Sequence, residues 1–181
     1  MFLDESGAST AMDRTYGRAP SGVPVDGPVP HGHWKVLTLT AAVRLGGVPE
    51  AACLVFDGAT DAAAFETYIG ECLASTLRPG DIVVMDNLSC HKTPEVARLI
   101  AAAGAEVRYL PAYSPDLNPI EKLFSKLKAW LRKAKARTVE ALIEAMGDAL
   151  RAVRPSDILG WFAHSGYIPG GSTATPNRKP V

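Results

Sequence analysis

Three acids in this chain stand where chemistry can be done: Asp4, Asp86 and Glu121. Each reads at the edge of an element rather than inside a solvated charge run, with Asp4 and Asp86 closing strands and Glu121 opening a helix. Elements that meet there would gather three carboxylates. Hard divalent cations such as magnesium take oxygen ligands and accept only a few protein carboxylates, leaving other positions to water and substrate phosphate. Two such ions, about 4 Å apart, activate the attacking oxygen and stabilise the leaving one in phosphodiester displacement. Plainer readings stay open beside this one. Asp4 fits a surface acid near a chain end. Asp86 begins Asp-Asn-Leu-Ser, good turn chemistry, and Glu121 lies three residues after Asn118, the spacing of a capping box.

Positioning these acids requires alternating strands and helices. Residues 1–3 are apolar and lead into Asp4, a strand that begins with the chain. Residues 6–33 hold five glycines and four prolines with little periodicity, predicting an irregular excursion. Sequence rich in Val, Leu and Thr from Trp34 to Arg44, broken at Gly46-Gly47 and resumed from Glu50 to Phe56, predicts two antiparallel strands. Phe65, Tyr68, Ile69, Cys72, Leu73 and Thr76 recur at helical spacing, predicting a helix from Asp61 to Leu77 that Pro79-Gly80 ends. Ile82-Val83-Val84-Met85 is an unbroken apolar run, the mark of a strand covered on both faces. A helix over Pro94–Ala103, stopped by Gly104, and a strand over Val107–Leu110 complete a strand–helix–strand crossover. Ligand sites in such sheets gather at the carboxyl ends of the strands.

Asn118 suits the N-cap, and Pro119 the first turn, of a helix reaching Arg137. Its apolar stripe is Ile120, Leu123, Phe124, Leu127, Leu131 and Ala134, and another amphipathic helix spans Val139–Val153. Residues 1–165 are expected to form one domain and residues 166–181, rich in Gly, Ser, Thr and Pro, a flexible tail.

With 47% apolar residues the chain can build a genuine core. Its 19 basic and 19 acidic residues leave no global excess of positive charge, so any nucleic-acid surface must be local. Cys53, Cys72 and Cys90 make neither a disulfide framework nor a four-thiolate zinc site. An acidic N-terminus and the lack of a long apolar run point to a cytoplasmic protein that makes no membrane contact.

Two stretches bring these observations together: Val83-Val84-Met85-Asp86-Asn87-Leu88-Ser89-Cys90-His91-Lys92, and Leu110-Pro111-Ala112-Tyr113-Ser114-Pro115-Asp116-Leu117-Asn118-Pro119-Ile120-Glu121. The pair resembles the signatures of mariner-related insertion-sequence transposases of the DDE superfamily. The 34 residues between Asp86 and Glu121 (positions 87 to 120) and the strand leading into Asp4-Glu5 match that group too. The likeness covers roughly residues 1–155. It implies an α/β, ribonuclease-H-like fold with a mixed five-stranded sheet flanked by helices. It also implies two magnesium ions on Asp4, Asp86 and Glu121, replaceable by manganese, with Asn87, His91 and Asn118 as support. The implied reaction is hydrolytic strand cleavage at a transposon end, then attack of the released 3′-hydroxyl on target DNA. Ala112 stands where the group usually has a second proline. Such transposases carry helix-turn-helix modules before the first catalytic strand, so an upstream chain is an expected partner, with a homodimer on DNA and a bacterial, nucleoid-associated setting.

For DNA contact the basic residues after Glu121 stand out: Lys122, Lys126, Lys128, Arg132 and Lys133, with Arg14 and Arg18 in the long loop. A solvated helix face is the plain alternative. Two rival functions remain: a non-catalytic remnant that binds DNA or partner transposase, and a haloacid-dehalogenase-type phosphohydrolase. The second wants an aspartate two residues after the first, where this chain has Ser6.

Overall fold

The computed structural model describes residues 1–27 and 30–167. Five strands form one mixed sheet: β1 Phe2–Ser9, β2 Val36–Val43, β3 Leu54–Asp57, β4 Ile82–Met85 and β5 Glu106–Tyr109. Their order is β3-β2-β1-β4-β5, so β1 is central. It pairs antiparallel with β2 over its whole length and parallel with β4, and β4 pairs parallel with β5. The expected five-stranded α/β architecture is thus the one found.

Helices cover both faces. The first face carries α3 (Ile120–Ala134), α4 (Val139–Arg151) and α5 (Pro155–His164), packed on Phe2, Ala8, Leu37 and Leu39. The second carries α1 (Ala62–Tyr68) and α2 (Pro94–Ala102), packed on Leu3, Ala42, Val83 and Met85. Strand alternation explains the split: Phe2 and Ala8 point one way and Leu3 the other. Ile120, Leu123, Phe124, Leu127 and Leu131 are all buried along α3. At about 1.5–3 kcal/mol each, they outweigh the roughly 1 kcal/mol of an N-cap in seating this helix.

Several boundaries differ from those expected. β1 does not close at Asp4 but runs on to Ser9, because its partner β2 continues beside it. The predicted strand from Glu50 starts at Leu54, since Glu50–Ala52 forms a 3-10 turn after Pro49. The helix from Asp61 is α-helical only to Tyr68, then widens to π-type spacing over Ile69–Leu73 and tightens to a 3-10 turn over Ala74–Thr76. α3 stops at Ala134, where Lys135 takes a left-handed conformation and donates its N–H to Leu131. Of the tail expected over 166–181, residues 168–181 lie outside the described residues, while Tyr167 packs against Phe2 at 4.7 Å between ring centroids.

Candidate active site

The pairing of β1 with β4 brings two of the acids together. Phe2 lies opposite Val84 in the parallel register. Asp4 and Asp86 each lie two residues further along their chains, so both come to the same end of the paired strands. β4 ends at Met85 while β1 continues, which opens a crevice at the carboxyl end of β4. The chain from β5 to α3 forms the opposite wall and brings in Glu121 in the first turn of α3, where the helix N-terminus favours a carboxylate. Asp4, Asp86, Asn87, Asn118 and Glu121 all line this cleft of about 370 Å³.

The electrostatics are those of an undercompensated acid cluster. Burial raises the Asp4 pKa to about 7; the Glu5 backbone N–H works against this, and the charges of Asp86, Glu5 and Glu121 add to it. Asp4 Oδ1 accepts the Glu5 N–H at 2.8 Å and Oδ2 accepts Asn118 Nδ2 at 2.9 Å. Asn118 therefore does not cap α3 with its side chain, as its position before the helix predicts. It is buried against Asp4, and its Oδ1 has no partner among the described residues.

His91 lies beneath the cleft rather than on its wall. The ring is fully buried and tilted against Phe65 at 4.1 Å between centroids. Nε2 is 3.1 Å from Glu5 Oε1, and Nδ1 is 2.7 Å from Asp86 Oδ1. The second contact is off the N–H direction and makes no aligned hydrogen bond, so we read it as an ion pair. Burial alone would lower the His91 pKa, but the Asp86 and Glu5 carboxylates outweigh it and push it up to about 10. Burial raises the Asp86 carboxyl, yet His91 and the Leu88 N–H more than offset this and leave it below the ordinary value. Glu5, which its sequence position did not mark as a site residue, is thus part of the site. Strand alternation was the available signal: a residue next to Asp4 must face the opposite side of the sheet, where His91 sits.

All donors are carboxylate or amide oxygens, which suits a hard cation rather than a soft one. Among the described residues no three acidic, His or Cys side chains are clustered tightly enough to share an ion as placed. Asp4 Oδ2 accepts from Asn118, and Asp86 Oδ1 faces His91.

The basic residues separate into groups. Lys128 and Arg132 lie on the Glu121 side of α3, and Arg132 lines a second cleft of about 730 Å³ together with Arg14 and Lys135. Lys122 and Lys133 are exposed but turned roughly 100° around the helix from that stripe. Lys126 departs from its predicted DNA role: its Nζ donates to Asp157 and to Ala152 O, tying α3 to α5. Arg18 is exposed in the long loop, outside both clefts.

The sequence profile of the family described as "DDE superfamily endonuclease" matches residues 1–143. The chain belongs to this family. No curated protein matches this endonuclease-family chain significantly. Among solved structures, the Mos1 transposase paired-end complex with left transposon end is 17% identical with a TM-score of 0.71, covering 90% of this chain and 50% of that one. A pre-cleavage Mos1 transpososome is 17% identical with a TM-score of 0.73, covering 92% and 52%. The catalytic domain of Mos1 mariner transposase is 17% identical with a TM-score of 0.63, covering 92% and 75%. The chain thus spans about half the length of the first two proteins and shares the fold of their catalytic part.

Proposed function

We propose that this DDE-family chain is the catalytic domain of a DNA transposase, which cleaves a DNA strand and then joins it to a target in a divalent-metal-dependent reaction. The observation that carries the reading is that Asp4 of β1, Asp86 just after β4 and Glu121 of α3 line one cleft. The raised Asp4 pKa supports it, since a buried acid facing other acids is stabilised by a cation. Asp4, Asp86 and Glu121 would hold two magnesium ions, with manganese as a substitute. Bound there, the metal supplies charge neutralisation at the attacking and leaving oxygens of a phosphodiester. Mos1 complexes with Mg and with Mn point the same way.

The chain's own residues perform the remaining tasks. Asn118 and the Glu5 N–H fix the two oxygens of Asp4. His91, held by Glu5, counters the charge of Asp86 from below. Lys128 and Arg132 on the Glu121 side of α3 offer positive charge to a phosphate backbone that runs out of the cleft, and Arg14 meets it at the far end. Water is the nucleophile in cleavage and the released 3′-hydroxyl the nucleophile in joining. Transposon ends and target are the DNA partners, a homodimer is the assembly on DNA, and a helix-turn-helix segment or separate upstream chain supplies end recognition. The work is done on DNA in the cytoplasm.

The test is nicking of labelled DNA by the purified chain in magnesium or manganese, with Asp86→Asn as control. Metal-dependent cleavage that the substitution abolishes is the expected result. Cleavage that persists in Asp86→Asn, or none from folded protein supplied with DNA ends, would overturn the reading.

A further inference from the structure

Only two non-glycine residues among those described have a left-handed backbone, Lys135 (φ 54°) and Tyr113 (φ 56°). Lys135 has a structural reason, because it terminates α3 and bonds back to Leu131. Tyr113 ends no helix, and its ring is fully exposed, touching nothing that would reward the strain. A bulky aromatic side chain in that conformation costs free energy in the backbone, and its exposed ring gains no burial to offset it.

The loop around it is firmly held. Pro111 and Pro115 fix φ on either side. Leu110 N–H bonds to Met85 O at 2.9 Å, and a 3-10 turn over Pro115–Leu117 leads into Asn118. The ring therefore projects from a stiff platform rather than from a mobile tip. Tyr113 lines the same cleft as the three acids, and Leu88, half-exposed, borders it from the loop after β4.

We propose that Tyr113 is a nucleobase-stacking residue: its ring stacks on a DNA base next to the phosphate engaged at the carboxylates, which fixes that nucleotide in the cleft. Aromatic rings hold nucleic acid this way irrespective of sequence, because every base has a π-face. The inference rests on the nuclease reading above and adds how the substrate is gripped. Tyr113 is a positioning residue, since its ring contacts a base and not the reacting atoms.

The backbone strain provides a test that a structural residue would fail. Tyr113→Gly removes the ring and at the same time relieves the left-handed conformation. The full chain is titrated with duplexes carrying 2-aminopurine either in a short single-stranded gap or in a paired region. For wild type the gap probe is expected to show the stronger fluorescence change on binding. Tyr113→Gly should bind about tenfold more weakly, melt at or above the wild-type temperature, and lose nicking through KM rather than kcat. Tyr113→Phe and Tyr113→Trp should behave as wild type. If wild type nicks DNA in an Asp86-dependent manner while Tyr113→Gly binds and perturbs the probe equally well, stacking is refuted and the nuclease reading stands. If wild type neither binds nor nicks any probe, both fall.

Discussion

Asp4→Asn should make the metal-free protein more stable while abolishing its activity. The Asp4 pKa is raised from 3.8 to about 7, first by burial and then, against the pull of the Glu5 N–H, by the neighbouring acids. A raised carboxyl pKa means that the folded state holds the proton more tightly than the unfolded chain. The resulting penalty is therefore absent below about pH 3.8, grows as pH rises through the interval to 7, and is complete above it. Roughly three units at 1.36 kcal/mol each give a penalty of about 4 kcal/mol at pH 8. Asparagine has the same shape and no charge. Its amide pairs with Asn118, whose unsatisfied Oδ1 gains a donor if that side chain rotates. It still loses hydration, so about half of the penalty, ~2 kcal/mol, should be recovered. For a domain of this size that corresponds to a rise of roughly 4–8 °C in Tm. The assay is thermal or urea unfolding of both proteins at pH 4, 6 and 8 in chelator. The gain should be near zero at pH 4 and largest at pH 8, and magnesium should stabilise wild type more than the variant. A variant that is less stable at pH 8, or a gain that does not shrink toward pH 4, would refute the electrostatic account of Asp4.

Three further outcomes follow from the charged side chains. Lys128→Gln and Arg132→Gln should each reduce the slope of log affinity against log salt by about one on duplex DNA. Lys126→Gln should leave that slope unchanged and instead lower stability, since Lys126 joins α3 to Asp157; measured salt titrations and melts separate the two. His91 has its pKa raised from 6.5 to about 10 by Asp86 and Glu5, against its burial. The stability it contributes is full below pH 6.5 and is lost as pH rises through 10. His91→Gln should accordingly be destabilised by about 3–5 kcal/mol near neutral pH, a deficit that narrows as pH rises from 6.5 to 10 in denaturant melts.

The parts of the fold that a periodic pattern encodes were legible, and those that depend on a neighbour were not. The apolar run Ile82–Met85 and the stripe along α3 follow from burial on known faces, so β4 and α3 were found with only end errors. α5 is not legible because its apolar residues surround the helix: Ile158 and Phe162 are buried while Leu159 is exposed, which erases the stripe. Asp4 reads as a strand end because the sequence turns polar there, although hydrogen bonds to β2 carry β1 on to Ser9. Asn118 had a sound local role as a cap, and a tertiary partner 114 residues away claimed its side chain instead. Lys126 shows the same limit, since nothing in a run of basic residues reveals which of them faces Asp157. The gathering of Asp4, Asp86 and Glu121 in one cleft was expected, but the contact of Glu5 with His91 depends on His91 folding back toward β1.

Three of the costs the fold carries border one cleft. Asp4 is half-buried beside other acids, Asn118 Oδ1 lacks a partner among the described residues, and Tyr113 holds a strained backbone with its ring in solvent. Each lowers stability, and all three border the same cleft. A domain selected for stability alone would replace them with asparagine, a small residue and glycine. Retaining them makes sense if a bound substrate removes the costs: cations neutralise Asp4, their hydration shell satisfies Asn118, and a base covers Tyr113. Combining Asp4→Asn with Tyr113→Gly should then raise the stability of the free chain nearly additively, because backbone strain and charge repulsion are separate terms. The same double variant should gain much less stabilisation from gapped DNA with magnesium than wild type, which gains several degrees. Equal stabilisation of both proteins by that ligand would show that the costs are unrelated to substrate binding.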